Sequence, residues 1–228
     1  MFKDVTQLAQ LIDHTVVRPD ATLNDLAAAC DAAKTYRFAA VAVNGANVMR
    51  ARELLSDTLV KVCAVVGFPF GANTTTVKIV EAMEAVKNGA SELDFVINIG
   101  MVKSGRYDAV EIDIKNIIAM TPQKVHKVII ETGCLTEDEI KRVCLIAMRA
   151  GAEYIKTSTG FGPRGATVSD VRLIQKIVGS GCRVKASGGI RDLHAVQAMV
   201  EAGADRVGTS TGVAIINEYL KARESFRQ

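Results

Sequence analysis

One joint between helix and strand recurs three times along the chain and restricts its fold more than any other feature. Asn88-Gly89-Ala90-Ser91-Glu92-Leu93-Asp94-Phe95-Val96, Ala150-Gly151-Ala152-Glu153-Tyr154-Ile155-Lys156 and Ala202-Gly203-Ala204-Asp205-Arg206-Val207-Gly208 share one grammar. An apolar-periodic helix ends, a glycine supplies the left-handed cap, and a short strand begins almost at once. The preceding segments, 79–88, 137–150 and 192–202, show helical spacing and good helix formers. Thr136-Glu137-Asp138-Glu139 has the capping-box pattern, with acidic residues at the positive end of the helix.

Between such helices lie apolar, β-branched runs at roughly 37–43, 60–66, 91–98, 124–131, 153–158, 182–187 and 205–209, and Leu11-Ile12-Asp13-His14-Thr15 reads as an eighth. Near-continuous apolar strands alternating with helices imply a parallel sheet covered on its outer faces. Without a linker or low-complexity stretch, the pattern predicts an α/β fold, a (β/α)8 TIM barrel forming one domain over 1–228. The alternative is an open doubly wound sheet, but no Gly-x-Gly-x-x-Gly follows the first strand.

The joints also set heights. Gly89 to Asp94, Gly151 to Lys156 and Gly203 to Gly208 are each five residues apart, so Asp94, Lys156 and Gly208 are predicted to lie level on their strands. Lys185, four residues beyond Gly181, is expected near the same rim. In a barrel the carboxyl ends of the strands hold the chemistry.

Two lysines at the ends of apolar strands are unexpected, because burying an ammonium costs several kcal/mol unless it is paired or loses its proton. Free lysine has a pKa of about 10.4, so about one amine in 2,500 is unprotonated at neutral pH. Bringing the pKa to about 7 takes roughly 4–5 kcal/mol of selective destabilisation of the ammonium. Burial supplies part of this and a second cation more. Lys156 and Lys185 thus form a candidate pair for Schiff-base chemistry; the bland alternative is that one or both snorkel outward or bind a phosphate. Asp94, an acid within an apolar strand, relays protons or simply neutralises a lysine. Asp13 shares its character in a weaker context. His14 and His126 read as packing or surface residues.

Ser187-Gly188-Gly189-Ile190-Arg191 and Gly208-Thr209-Ser210-Thr211-Gly212 follow the last two strands and lead into helices. Glycines let the backbone approach an anion, and N–H groups at a helix start then bind it. These loops form a candidate phosphate site, with ordinary turn chemistry as the alternative. Gly67-Phe68-Pro69-Phe70-Gly71 reads as a shaped loop over the cavity mouth.

Composition narrows the partners. A formal charge of +3 without a Lys/Arg block implies neither nucleic acid nor membrane as partner. No apolar segment approaches the roughly 20 residues that span a bilayer, and the N-terminus lacks a secretory h-region. The five cysteines (Cys30, Cys63, Cys134, Cys144, Cys182) are scattered, without a CxxC pair, and read as reduced thiols of a cytoplasmic protein. With three histidines, no His-rich metal site is expected.

The ordered segments Leu11-Ile12-Asp13-His14-Thr15, Lys61 to Gly71, Glu92 to Gly100, Lys127-Val128-Ile129-Ile130-Glu131-Thr132, the two lysine segments and Arg206-Val207-Gly208-Thr209-Ser210 resemble the deoxyribose-phosphate aldolase family in its shorter form. The resemblance runs from about residue 11 to 212. It implies a class I aldolase that joins acetaldehyde and D-glyceraldehyde 3-phosphate reversibly to 2-deoxy-D-ribose 5-phosphate, in deoxyribose catabolism. It implies Lys156 as the Schiff-base lysine, Lys185 as the second lysine and Asp94 as the proton relay. Substrate and phosphate contacts are expected from Asp13, Thr157, Ser187, Gly188, Gly189, Gly208, Ser210 and Thr211. No cofactor is implied, and a homodimer or homotetramer is left open. The sequence departs from the family's common pattern at Ala42, where many relatives have cysteine, at Gly45, where proline is common, and at Phe161, which replaces a lysine of some members. Its end, Arg223 to Gln228, lacks the terminal tyrosine of some longer relatives. A different phosphosugar aldolase or isomerase, and a noncatalytic sugar-phosphate sensor, are the competing readings.

Overall fold

The computed structural model describes residues 2–225, so the last residues of the tail, 226–228, lie outside the described residues. Eight strands run β1 (Ile12–Val16), β2 (Ala40–Val43), β3 (Lys61–Val66), β4 (Glu92–Val96), β5 (Val125–Ile129), β6 (Tyr154–Lys156), β7 (Arg183–Ser187) and β8 (Arg206–Thr209). The helices are α1 (Val5–Ala9), α2 (Leu23–Tyr36), α3 (Val48–Leu54), α4 (Thr75–Lys87), α5 (Ile99–Lys103), α6 (Tyr107–Met120), α7 (Glu137–Arg149), α8 (Val168–Val178), α9 (Leu193–Glu201) and α10 (Gly212–Ser225). The strands pair in chain order, all parallel, and β8 closes onto β1. This is the TIM barrel that the alternating pattern predicts, and the open sheet is excluded by that closure.

The joints behave as their residues require. Gly89, Gly151 and Gly203 sit just past the ends of α4, α7 and α9 with φ of 106°, 95° and 109°, a region that costs a side-chain-bearing residue energy. At the start of α7, the Thr136 N–H donates to Glu139 Oε2 (2.7 Å) while the Glu139 N–H donates to Thr136 Oγ1 (3.3 Å).

Two faces alternate along every strand. Leu93, Phe95, Val128, Ile155, Val184 and Val207 point outward and are fully buried under the helices. Each such side chain contributes roughly 1.5–3 kcal/mol by leaving water. The other face fills the lumen, and closure arranges it in layers. From Asp94 one crosses Lys127 to Tyr154, and two residues further up β6 stands Lys156. The same step leads from Lys156 to Gly208, from Gly208 to Ala42, and from Ala42 back to Asp94. Four steps of two residues give the stagger of eight expected for this barrel.

The upper layer is therefore Ala42, Asp94, Lys156 and Gly208, the level that the equal spacing from the three cap glycines predicts. Beneath it the odd strands supply Asp13, Cys63, Lys127 and Lys185, and lowest come Ala40, Glu92, Tyr154 and Arg206. Lumens of this kind are usually filled by branched apolar residues. Here the two lower layers carry five charged side chains. Among the described residues no helix is long and apolar enough to cross a membrane.

Candidate active site

The upper layer is half empty, because Ala42 and Gly208 bring almost no side chain to it. A Cβ on Gly208 would come 2.3 Å from Ser187 Oγ and 3.3 Å from Lys185 Cε. The space above Lys156 opens into a cleft of about 580 Å³ at the carboxyl ends of the strands. Its walls include Thr15, Val65, Lys156, Gly160, Phe161, Ser187, Gly188, Gly189, Arg191, Gly208 and Ser210.

The charged floor is built around Asp94, which is fully buried. Its Oδ2 accepts from Lys156 Nζ and from Lys185 Nζ, each at 2.7 Å. Its Oδ1 accepts from Lys127 Nζ (2.8 Å) and from the Cys63 thiol (2.9 Å). Burial alone would raise the Asp94 pKa, but Lys127, Lys156 and Lys185 outweigh it and hold the carboxyl well below the usual carboxylate range. Lys185 also donates to Asp13 Oδ2, and Arg206 donates to Asp13 Oδ1 (2.6 Å). Lys127 meets Glu92 Oε2 at 2.6 Å.

The cations respond unequally. Burial would lower all three lysines. For Lys127 and Lys185 the surrounding carboxylates win and the pKa rises. For Lys156 burial, reinforced by the Lys185 charge, outweighs Asp94, and the pKa falls below that of free lysine. The arithmetic agrees: Asp13, Glu92 and Asp94 face Lys127, Lys156, Lys185 and Arg206, three acids against four bases. Lys156 touches a single acid, through an oxygen it shares. It is the one lysine of the three whose pKa is shifted downward. Asp13, Cys63 and Glu92 could hold a metal ion by their mutual distances. The Lys127 ammonium, however, lies 3.8 Å, 3.2 Å and 2.6 Å from them.

Several expectations are corrected by this geometry. Lys185 is the exception that holds: it pairs in register with Lys156 and brings its nitrogen to the same carboxylate oxygen, near the rim that its distance from Gly181 predicts. Asp13 lies beneath the cleft with both oxygens in ion pairs, so it supports the floor rather than touching a ligand. Thr157 faces away from the lumen, accepting from the Ser187 N–H (3.1 Å) and donating to the Ser187 carbonyl (3.3 Å), which locks β6 to β7. The Thr211 hydroxyl donates to the Arg191 carbonyl (2.9 Å) and ties the two glycine-rich loops together. Ser187, Gly188, Gly189, Gly208 and Ser210 do border the cleft. Ser187 Oγ is buried without a hydrogen-bond partner in the protein, as expected of a hydroxyl that meets a ligand.

Other residues escaped the sequence reading. Lys127, Glu92 and Arg206 occupy lumen positions; the period-two phase of Glu92 with Asp94 and of Arg206 with Gly208 was the available signal, whereas Lys127 is placed only by its pairing across to Asp94 and Tyr154. Glu131, at the end of β5, accepts from the Thr159 N–H (3.0 Å) and hydroxyl, and so fixes the loop carrying Gly160 and Phe161. Phe161 meets Phe68 edge-on, with ring centroids 5.5 Å apart, which brings the loop after β3 to the loop after β6. His126 is a packing residue, its Nε2 2.8 Å from Thr121 Oγ1. His14 packs on Phe38 and also borders the cleft.

A closed parallel barrel with a buried lysine cluster at the carboxyl ends of its strands places the molecule among barrel proteins whose chemistry sits at that end. Residues 7–218 match the DeoC/LacD family of aldolases, and the chain belongs to that family. A protein of Caldanaerobacter subterraneus subsp. tengcongensis named deoxyribose-phosphate aldolase is 50% identical over 222 residues, covering 96% of each chain. Another of that name, from Carboxydothermus hydrogenoformans, is 51% identical over 223 residues, covering 96% of this chain and 98% of its own. Among solved structures, an aldolase called QR15 superposes with a TM-score of 0.92 at 45% identity, covering 96% and 98%. The deoxyribose phosphate aldolase of Aeropyrum pernix, described as a unique tetrameric structure, gives 0.91 at 31% identity, covering 97% and 94%.

Proposed function

We propose that this chain is a class I aldolase that reversibly cleaves 2-deoxy-D-ribose 5-phosphate into D-glyceraldehyde 3-phosphate and acetaldehyde through a Schiff base on Lys156. The observation that carries the reading is the Lys156 amine itself, pulled below its ordinary pKa at the floor of the cleft and sharing Asp94 Oδ2 with Lys185.

The neutral amine attacks the C1 aldehyde and water leaves, giving an iminium. A proton leaves the C3 hydroxyl, the C2–C3 bond breaks, and its electron pair moves into the iminium to form an enamine. D-Glyceraldehyde 3-phosphate departs, the enamine is protonated at C2, and hydrolysis frees acetaldehyde and the lysine. Protons pass through Lys185, Asp94 and water; positioned groups of this kind contribute typically 10²–10⁴-fold each. The phosphate is held by the Ser187–Gly189 and Gly208–Ser210 loops. Assembly into a homodimer or homotetramer belongs to the same reading.

Borohydride added to the enzyme with 2-deoxyribose 5-phosphate tests it. A reduced adduct on the peptide bearing Lys156 is expected, with none in Lys156→Ala. An adduct elsewhere, or none, refutes the mechanism.

A further inference from the structure

Lys127 has no part in the steps above. It is fully buried, does not border the cleft and cannot touch a substrate. Yet its Nζ holds Asp94 Oδ1 at 2.8 Å, on the side of the carboxylate away from Lys156 and Lys185. We propose that Lys127 is a positioning residue that, with Glu92, sets the charge balance of the lumen so that Lys156 is the amine left neutral. The proposal rests on the reading of Lys156 as the Schiff-base lysine.

The charged and titratable groups facing this cluster come from six strands. They are Asp13 on β1, Cys63 on β3, Glu92 and Asp94 on β4, Tyr154 and Lys156 on β6, Lys185 on β7 and Arg206 on β8; β2 contributes only Ala40 and Ala42. Burial pushes the Cys63 thiol up to about 12, so it enters as a neutral donor. Lys127 contacts Glu92 and Asp94 directly and lies 3.8 Å from Asp13, Lys185 contacts Asp13 and Asp94, and Arg206 contacts Asp13 at 2.6 Å and Glu92 at 3.7 Å. Three cations therefore each meet at least two acids, Lys127 all three of them, and those acids number three. Lys156 is the fourth cation, bonded only to the oxygen that Lys185 already occupies.

In a fully buried lumen an unmatched charge is costly, so the surplus proton leaves from the least compensated site. Without the Lys127 charge the count becomes three against three. The Lys156 ammonium then shares Asp94 with one other ammonium instead of two and keeps its proton to higher pH. Removing the Glu92 charge acts in the opposite direction, leaving four cations against two acids.

The test is the pH dependence of borohydride trapping on Lys156 in the full chain, with acetaldehyde as the probe aldehyde. The parent is compared with Lys127→Met, Lys127→Arg and Glu92→Gln. The midpoint of trapping is expected to rise by about one pH unit in Lys127→Met, to return toward the parent value in Lys127→Arg, and to fall in Glu92→Gln. Folded variants that trap less at every pH around an unmoved midpoint assign Lys127 a merely structural role and overturn the proposal. If Lys127→Met does not fold, Glu92→Gln decides alone, and an unmoved or raised midpoint overturns it. A parent that forms no adduct on Lys156 is a separate result: it removes the Schiff-base reading itself.

Discussion

Lys156 and Lys185 stand on one atom: both ammonium nitrogens lie 2.7 Å from Oδ2 of Asp94. A single carboxylate oxygen cannot compensate two buried cations equally. Lys185 has a second acid in Asp13 and Lys156 has none, so two chemically identical side chains are shifted in opposite directions, the Lys185 pKa up and the Lys156 pKa down.

That asymmetry gives a pH prediction. Lys185→Met removes a like charge from beside Lys156 and frees Asp94 Oδ2 for it, so the Lys156 pKa rises. Activity depends on the neutral amine and so grows as pH rises through that pKa; the acid limb of kcat/KM moves to higher pH. The limb is expected to move by about one to two units, while the lost proton carrier lowers activity by about 10²–10⁴-fold at every pH. A pH–rate profile for parent and variant checks it, and an unmoved limb contradicts it.

A second buried pair predicts a stability effect apart from the chemistry. Lys78, fully buried on α4, donates to Asp113 Oδ2 of α6 (2.6 Å) and to the Val96 carbonyl at the end of β4 (2.9 Å). Asp113→Leu strands an ammonium between helices and barrel and is expected to cost about 3–5 kcal/mol, whereas Lys78→Met combined with Asp113→Leu recovers most of it. Urea titration measures both. Neither residue borders the cleft, so turnover per folded molecule is expected to change little.

The proposed phosphate loop yields a prediction on substrate binding. Gly188 has φ of 88°, and a Cβ there would lie 3.0 Å from Gly165 Cα and 3.3 Å from Gly160 Cα. Gly188→Ala strains and displaces the loop by an amount worth about 1–2 kcal/mol. The KM for 2-deoxyribose 5-phosphate is expected to rise about tenfold, while that for unphosphorylated 2-deoxyribose moves less than about twofold. Steady-state kinetics with the two sugars distinguishes this from a general loss of activity, which would affect both.

Much of the molecule was legible along the chain because the signals are local. A helix end, a cap glycine and an apolar run each depend on a few neighbouring residues, so the joints at Gly89, Gly151 and Gly203 announced a barrel and put Asp94, Lys156 and Gly208 at one height. Period-two alternation also shows which residues share a face of a strand. It does not say what stands opposite. That is set by the two-residue step between alternate strands and by closure of β8 on β1, which bring Asp13 against Lys185 and Lys127 against Cys63 from remote parts of the chain. The direction of a lysine's pKa is a sum over such neighbours. A buried lysine could thus be recognised from its own strand, but only the closed barrel decides the direction in which Lys127, Lys156 and Lys185 are each shifted, because the compensating carboxylates arrive on other strands.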